Sequence, residues 1–449
     1  MPKIFKTIKE SPIWLITILV SITAVIFLIY SPFQISLFPD LGAKKIYYVD
    51  NISDAHLEII KKFNALYKGK IEVVPVNLPF YHFTTNDRKE ILTRSLRSRN
   101  DGIDIFAVDL IWIPRFAKWG YLLDDHFDDS TLSHVNASAL ETCRRNDKLV
   151  AFPLFLDMGV LYYRKDLIRE LPHGDSIESR IRNGMTWNEF INLGRSIKTS
   201  NHFPGKYDSG LFYVFPGGNY EGMLCCFQEM LSEHESDDIF YNDPINLNTS
   251  PARKALQMMV DLVYNYKFSP SEVVQFDEYN SYLYATNNNA LFLRGWIGFR
   301  RQYSGFLEDT SAVSSWDIAP LPHFDGNKTS SVFGGWSLMI SEFSNRKEEA
   351  LEFIKFMFRK ENQELLYEEG GYLPINMEVY SDSSFLQKHR ELAQIEKLLS
   401  WGRYRPSLDN YTRLSEIMSS YFHKALKKEI PVGEALMSAS KQINDERLR

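Results

Sequence analysis

Asp109, Leu110, Ile111 and Trp112 follow directly on the β-branched run Ile103–Val108. In an open α/β sheet the crevice beyond the carboxyl end of a strand is where ligands sit, so this carboxylate and indole are the first candidates for a binding role. Asp109 reads equally as the cap of a helix at Pro114, and Trp112 as a buried core residue. The densest acidic run, Asp124-Asp125 with Asp128-Asp129, reads as a solvated turn. His234-Glu235 lacks the second histidine of a zinc-binding helix. No P-loop, no G-x-G-x-x-G after a strand, no H-E-x-x-H and no G-x-S-x-G occurs, so nucleotide, zinc-hydrolase and serine-hydrolase chemistry have no signature. The paired carboxylates of a glycosidase are compatible with the many acids present, because their separation is spatial rather than sequential.

The elements that must carry these residues alternate. Lys45–Val49 reads as a strand, His56–Tyr67 as a helix with apolar residues at helical spacing, and Gly69 as its stop. Ile71–Val76 is a second strand, Asp87–Arg99 a charged helix and Ile103–Val108 a third strand, an order that predicts a parallel sheet with crossover helices. Further on, strands are expected at Leu149–Leu156, Leu161–Tyr163, Ala290–Leu293, Ile318–Leu321 and Leu338–Ile340. Helices are expected after Thr186, whose capping box runs to Glu189, and at Pro251–Tyr266, Lys347–Glu369 and Ser415–Leu426. The segments 173–183, 201–218 and 233–248 read as surface loops.

With 449 residues, 44% hydrophobic and 24% charged, the chain is globular in composition and long enough for two domains. A net charge of -6 without a lysine or arginine cluster gives nucleic acid nothing to hold. Cys143, Cys225 and Cys226 read as small buried hydrophobes rather than a disulfide framework. Aromatic residues reach 14%, and Trp and Tyr in loops are what a carbohydrate cleft would use, since the C–H faces of a sugar stack on aromatic planes.

Between Glu10 and Asp40 there is no charge, and Ile13–Tyr30 is almost wholly apolar, the length of one membrane crossing. No A-x-A-like cleavage site follows, so the run reads as an uncleaved anchor rather than a signal peptide, and no cysteine follows it to take a lipid. Lys3, Lys6 and Lys9 place the short tail in the cytoplasm and the main domain outside it, in the periplasm or at the cell exterior.

Several ordered segments together resemble a known family: DIFAVDLIWIPRFAKWGYLLDD (104–125), VAFPLFLDMGVLYYRKDLI (150–168), MTWNEF (185–190), NNALFLRGW (288–296), DIAPLPHFDGNKTSSVFGGWSLMIS (317–341), EEALEFIKFMF (348–358), GGYLPINMEVY (370–380) and YRPSLDNYTRLSEIM (404–418). The chain is similar to the extracellular solute-binding proteins of ABC importers, in the sugar-binding group related to maltose and trehalose binders. The resemblance implies an α/β fold, the two-lobed, type II-like periplasmic-binding-protein fold with a hinge, here preceded by one N-terminal transmembrane helix. It implies a tail and anchor at 1–42, one lobe of 43–155 with 318–362, and a second of 156–317 with 363–449. It implies that Asp109 and Asp157 accept hydrogen bonds from sugar hydroxyls and that Trp296 and Trp336 stack on the sugar. Gly335 would admit backbone amides to the ligand, and Arg405 would reach into the cleft. Phe155 stands where relatives carry Tyr, and Trp112 completes the set. The implied protein is a monomeric binding module without cofactor or metal, whose partners are a small sugar, ABC permease subunits and, through the helix, the membrane. Two rival readings are a single-pass carbohydrate-active enzyme, for which the N-x-S/T triplets at Asn51, Asn136, Asn248, Asn327 and Asn410 would suit a secretory lumen, and a sugar sensor.

Overall fold

The computed structural model describes residues 42–99, 102–200, 211–303 and 314–447. The expected membrane anchor lies outside them, and among the described residues no helix is long and apolar enough to cross a membrane.

Strands β1 (Lys44–Asp50), β2 (Ile71–Asn77) and β3 (Ile105–Asp109) form in the expected order, with helices Asp54–Leu66 and Thr85–Ser98 between them. Each helix starts where a hydroxyl side chain accepts an orphan amide, Ser53 from His56 and Thr84 from Asp87. β1 lies parallel to both β2 and β3, as helical crossover connections require. A short hairpin, β4 (Arg144–Arg145) and β5 (Lys148–Leu149), turns through Asn146 and Asp147 at φ of 49° and 60°.

The remaining strands are β6 (Phe152–Arg164), β7 (Tyr213–Val214), β8 (Phe292–Trp296), β9 (Trp316–Ala319), β10 (Ser331–Ile340) and β11 (Gly402–Arg403). They extend one sheet of order β2-β1-β3-β10-β6-β8-β7, with β11 on β10 and β9 on β6. β10 runs antiparallel to β3 and to β6. The first half of β6 pairs with β10 and its second half with β8 and β9, so β6 and β10 join the parallel section to the rest.

Several expectations are corrected. The two strands expected within 149–163 run together as one buried strand, β6, because Asp157 and Gly159 between them pair with β10 and β8 instead of turning. The expected loop at 173–183 holds the helix Gly174–Asn183, whose only buried apolar side chains are Ile177 and Ile181 beside a buried Glu178, and whose N-cap, His173, is left-handed with no side-chain cap, so neither usual signal is present. The expected loop at 233–248 begins with the helix Glu233–Phe240, opened by a Ser232 and Glu235 capping box. The single helix expected at Lys347–Glu369 is two, Lys347–Phe358 and Lys360–Gly370, broken at Arg359 with ψ 142°. There Asn362 and Gln363 donate side-chain amides to the Phe356 and Met357 carbonyls, replacing the helical partners those carbonyls lose. Of the expected loop at 201–218, residues 201–210 lie outside the described ones and β7 occupies part of the remainder.

Candidate ligand-binding site

Strand register assembles the site. Residues directly opposite one another in neighbouring strands share a face of the sheet, as do residues two apart along a strand. Trp336 of β10 stands opposite both Asp109 of β3 and Phe155 of β6, and Gly334 stands opposite Asp157. Gly159, two residues beyond Asp157, stands opposite Trp296 of β8. Asp109, Trp336, Phe155, Asp157 and Trp296 therefore project from one face across four strands.

That face lines a cavity of about 820 Å³ of empty space, counted out to where it opens to solvent. Its wall contains seven of the eight expected residues, Asp109, Phe155, Asp157, Trp296, Gly335, Trp336 and Arg405. Trp112 stands apart. It is 2% exposed and packs edge-on behind Trp336 at 5.2 Å between ring centroids, so it supports that indole instead of facing the cavity.

The glycines make room for neighbouring groups. A Cβ on Gly334 would fall 2.8 Å from Trp296 Cζ3, and one on Gly335 would fall 2.5 Å from the Phe155 carbonyl oxygen. Gly335 also holds φ at 133°, where side chains are strained.

Arg405 is engaged by protein carboxylates. Its Nη2 donates to Asp109 Oδ1 at 2.8 Å and its Nη1 to Glu221 Oε1 at 3.0 Å. Asp109 also accepts from the Ile111 amide at 3.1 Å, so it caps the turn Leu110–Trp112 as well as lining the cavity. Glu221 takes further bonds from Tyr411 Oη at 3.0 Å and from the Ser415 hydroxyl. Burial pushes the Glu221 carboxyl up, against the pull of Arg405. Asp157 Oδ1 accepts from the amides of Met158 at 2.8 Å and Ile297 at 2.9 Å. Burial outweighs those bonds and pushes the Asp157 carboxyl up to about 7.

Sequence reasoning missed Glu221, Glu278, Phe80, Tyr279, Tyr303 and Tyr372, which also line the wall. Glu221 had a signal, a carboxylate at the head of the otherwise apolar run GMLCCF, where an acid must find partners. The tyrosines had none, since the chain is rich in them. All three cysteines are buried and free. Among the described residues no group of three or more His, Cys, Asp or Glu side chains is placed to hold a metal.

The cavity lies where two strands tie the sections of a mixed sheet together and is lined by indoles and acids, groups able to stack on a small solute and to accept its hydrogen bonds. The model of the bacterial extracellular solute-binding proteins matches residues 50–364. The chain belongs to that family. Among its relatives, a probable ABC transporter-binding protein of Deinococcus radiodurans is 25% identical over 369 residues, 79% of this chain and 83% of that one. The sn-glycerol-3-phosphate-binding periplasmic protein UgpB of Rhizobium meliloti is 23% identical over 315 residues, 66% of this chain and 67% of its own. Among solved structures, maltose-bound MalE3 of T. maritima aligns with a TM-score of 0.78 at 25% identity, over 90% of this solute-binding protein and 100% of that chain.

Proposed function

We propose that this solute-binding protein holds a carbohydrate, an oligosaccharide of maltose-like size, in the cavity outside the cytoplasm and hands it to an ABC permease. The observation that carries the reading is the meeting of Trp296, Trp336, Asp109 and Asp157 on one face around one cavity. Indole faces suit the C–H faces of a sugar and carboxylates suit its hydroxyls. The likeness to a maltose-bound structure supports the same ligand class. In this reading residues 43–155 with 318–362 form one lobe and 156–317 with 363–449 the other. The sugar favours the closed state because it touches both. The apolar segment 13–30 tethers the lobes beside the permease and raises their effective concentration there.

Isothermal titration of the full chain in nanodiscs against maltose, maltotriose, trehalose and sn-glycerol 3-phosphate tests it. Heat with at least one saccharide is expected. Heat with glycerol phosphate alone overturns the carbohydrate assignment, and hydrolysis of an aryl-glycoside would move the protein to the enzyme class.

A further inference from the structure

A buried cation lies behind each of the two indoles. Arg294 Cζ is 4.2 Å from the Trp296 ring centroid, and Arg88 Cζ is 4.0 Å from that of Trp336. Both arginines are buried, at 0% and 1% exposure, and neither lines the cavity, so each guanidinium lies over its indole without reaching the ligand space. Each guanidinium is held by a carboxylate from another element. Glu229 accepts from Arg294 Nε at 2.9 Å and Nη2 at 2.5 Å, and Asp50 accepts from Arg88 Nη2 at 2.9 Å.

The backbone is shaped around one of these pairs. A Cβ on Gly159 would fall 2.0 Å from Glu229 Oε1 and 2.7 Å from Arg294 Nη2, while Gly334 leaves room for the Trp296 ring itself. Arg294 and Trp296 are two apart on β8 and so share a face. Arg294 Nη1 and Arg88 Nε and Nη1 have no hydrogen-bond partner although buried, a cost that an apolar core would avoid. The same costly arrangement occurs twice, each time against an indole of one cavity.

We propose that Arg294 and Arg88 are positioning residues that lock the planes of Trp296 and Trp336 before a ligand arrives. A cation stacked on an indole is attracted by the ring's electron density, and its ion pair fixes where it sits. The ring then has no orientation left to lose on binding, which strengthens affinity. The inference rests on the carbohydrate reading only for the ligand used.

Near-ultraviolet circular dichroism of the ligand-free full chain tests the locking. The band of each tryptophan is isolated by subtracting the spectrum of Trp296→Phe or Trp336→Phe. Arg294→Met is expected to abolish the Trp296 band and leave that of Trp336, with the far-ultraviolet spectrum unchanged. The double variant Arg294→Met/Glu229→Gln, which leaves no unpaired buried carboxylate, is expected to do the same. Arg88→Met with Asp50→Asn is the matching pair for Trp336. Bands that persist in these variants overturn the proposal. With maltose as ligand, Arg294→Met is expected to weaken binding about tenfold in the native background and less than twofold beside Trp296→Ala. Equal losses in both backgrounds also overturn it. If none of maltose, maltotriose and trehalose binds the native chain, the carbohydrate reading fails on its own and the dichroism decides the locking.

Discussion

Arg405 and Asp109, 296 positions apart in the sequence, meet with Nη2 2.8 Å from Oδ1 at the cavity wall. The same guanidinium holds Glu221, so one side chain neutralises two buried acids that arrive on different elements. Removing it strands both. Arg405→Met is expected to cost about 3–5 kcal/mol in urea unfolding, as breaking a buried pair from one side does. Asp109→Asn should cost less, because Arg405 keeps Glu221.

The two indoles should separate stability from binding. Trp336 is 7% exposed and packs against Trp112 and Phe80, so Trp336→Ala is expected to lose about 3–5 kcal/mol of stability together with affinity. Trp296 is only partly buried. Trp296→Ala should lose tenfold or more in saccharide affinity, about 1.4 kcal/mol, with a smaller change in melting temperature. Calorimetry and thermal melts on the same samples check both.

Asp157 gives a pH test. Burial lifts its carboxyl from 3.8 to about 7. Between those values the native state keeps a proton that the unfolded chain releases, so this group's contribution to stability falls as pH rises through that window. Asp157→Asn removes the fall. The melting temperature of the variant minus that of the native chain is therefore expected to increase from pH 4 to pH 7 and then level off.

Neighbouring glycines should fail differently. A methyl on Gly335 meets the Phe155 carbonyl and a φ of 133°, both backbone features, so Gly335→Ala is expected to destabilise by about 1–3 kcal/mol or more. A methyl on Gly334 meets only the Trp296 ring. That contact is with a cavity side chain rather than with backbone, so Gly334→Ala should push the indole out of its held plane and weaken ligand binding more than it lowers the melting temperature.

The opening β-α-β-α-β unit was legible because periodicity, caps and a stop residue all act within a few positions. Phe155, Asp157, Trp296, Gly335, Trp336 and Arg405 entered through family resemblance, and only Asp109 and Trp112 through position after a strand. The resemblance placed Arg405 in a cleft but could not name Asp109 and Glu221 as its partners, since that pairing is made by tertiary packing. Arg294 had a readable signal, a charge inside the buried strand FLRGW, and so did Glu229 in a buried helix. The break at Arg359 had none, because the residues that permit it, Asn362 and Gln363, are ordinary helix residues by propensity.

Leu154 has a further consequence for how such a wall can change. The pairing of β6 with β10 slips at this residue: Trp336 faces Phe155 and the next residue, Ser337, faces Pro153, with Leu154 left over and its carbonyl taken by Gln363 Nε2 at 3.3 Å. Leu154 is thus a phase joint. On one side of it Phe152 keys into Phe127 and Phe358, on the other Phe155 and Asp157 look into the hollow, and neither orientation dictates the other. Excising that single leucine would join the two stretches in one unbroken alternation along β6, so that each would then fix which way the other looks.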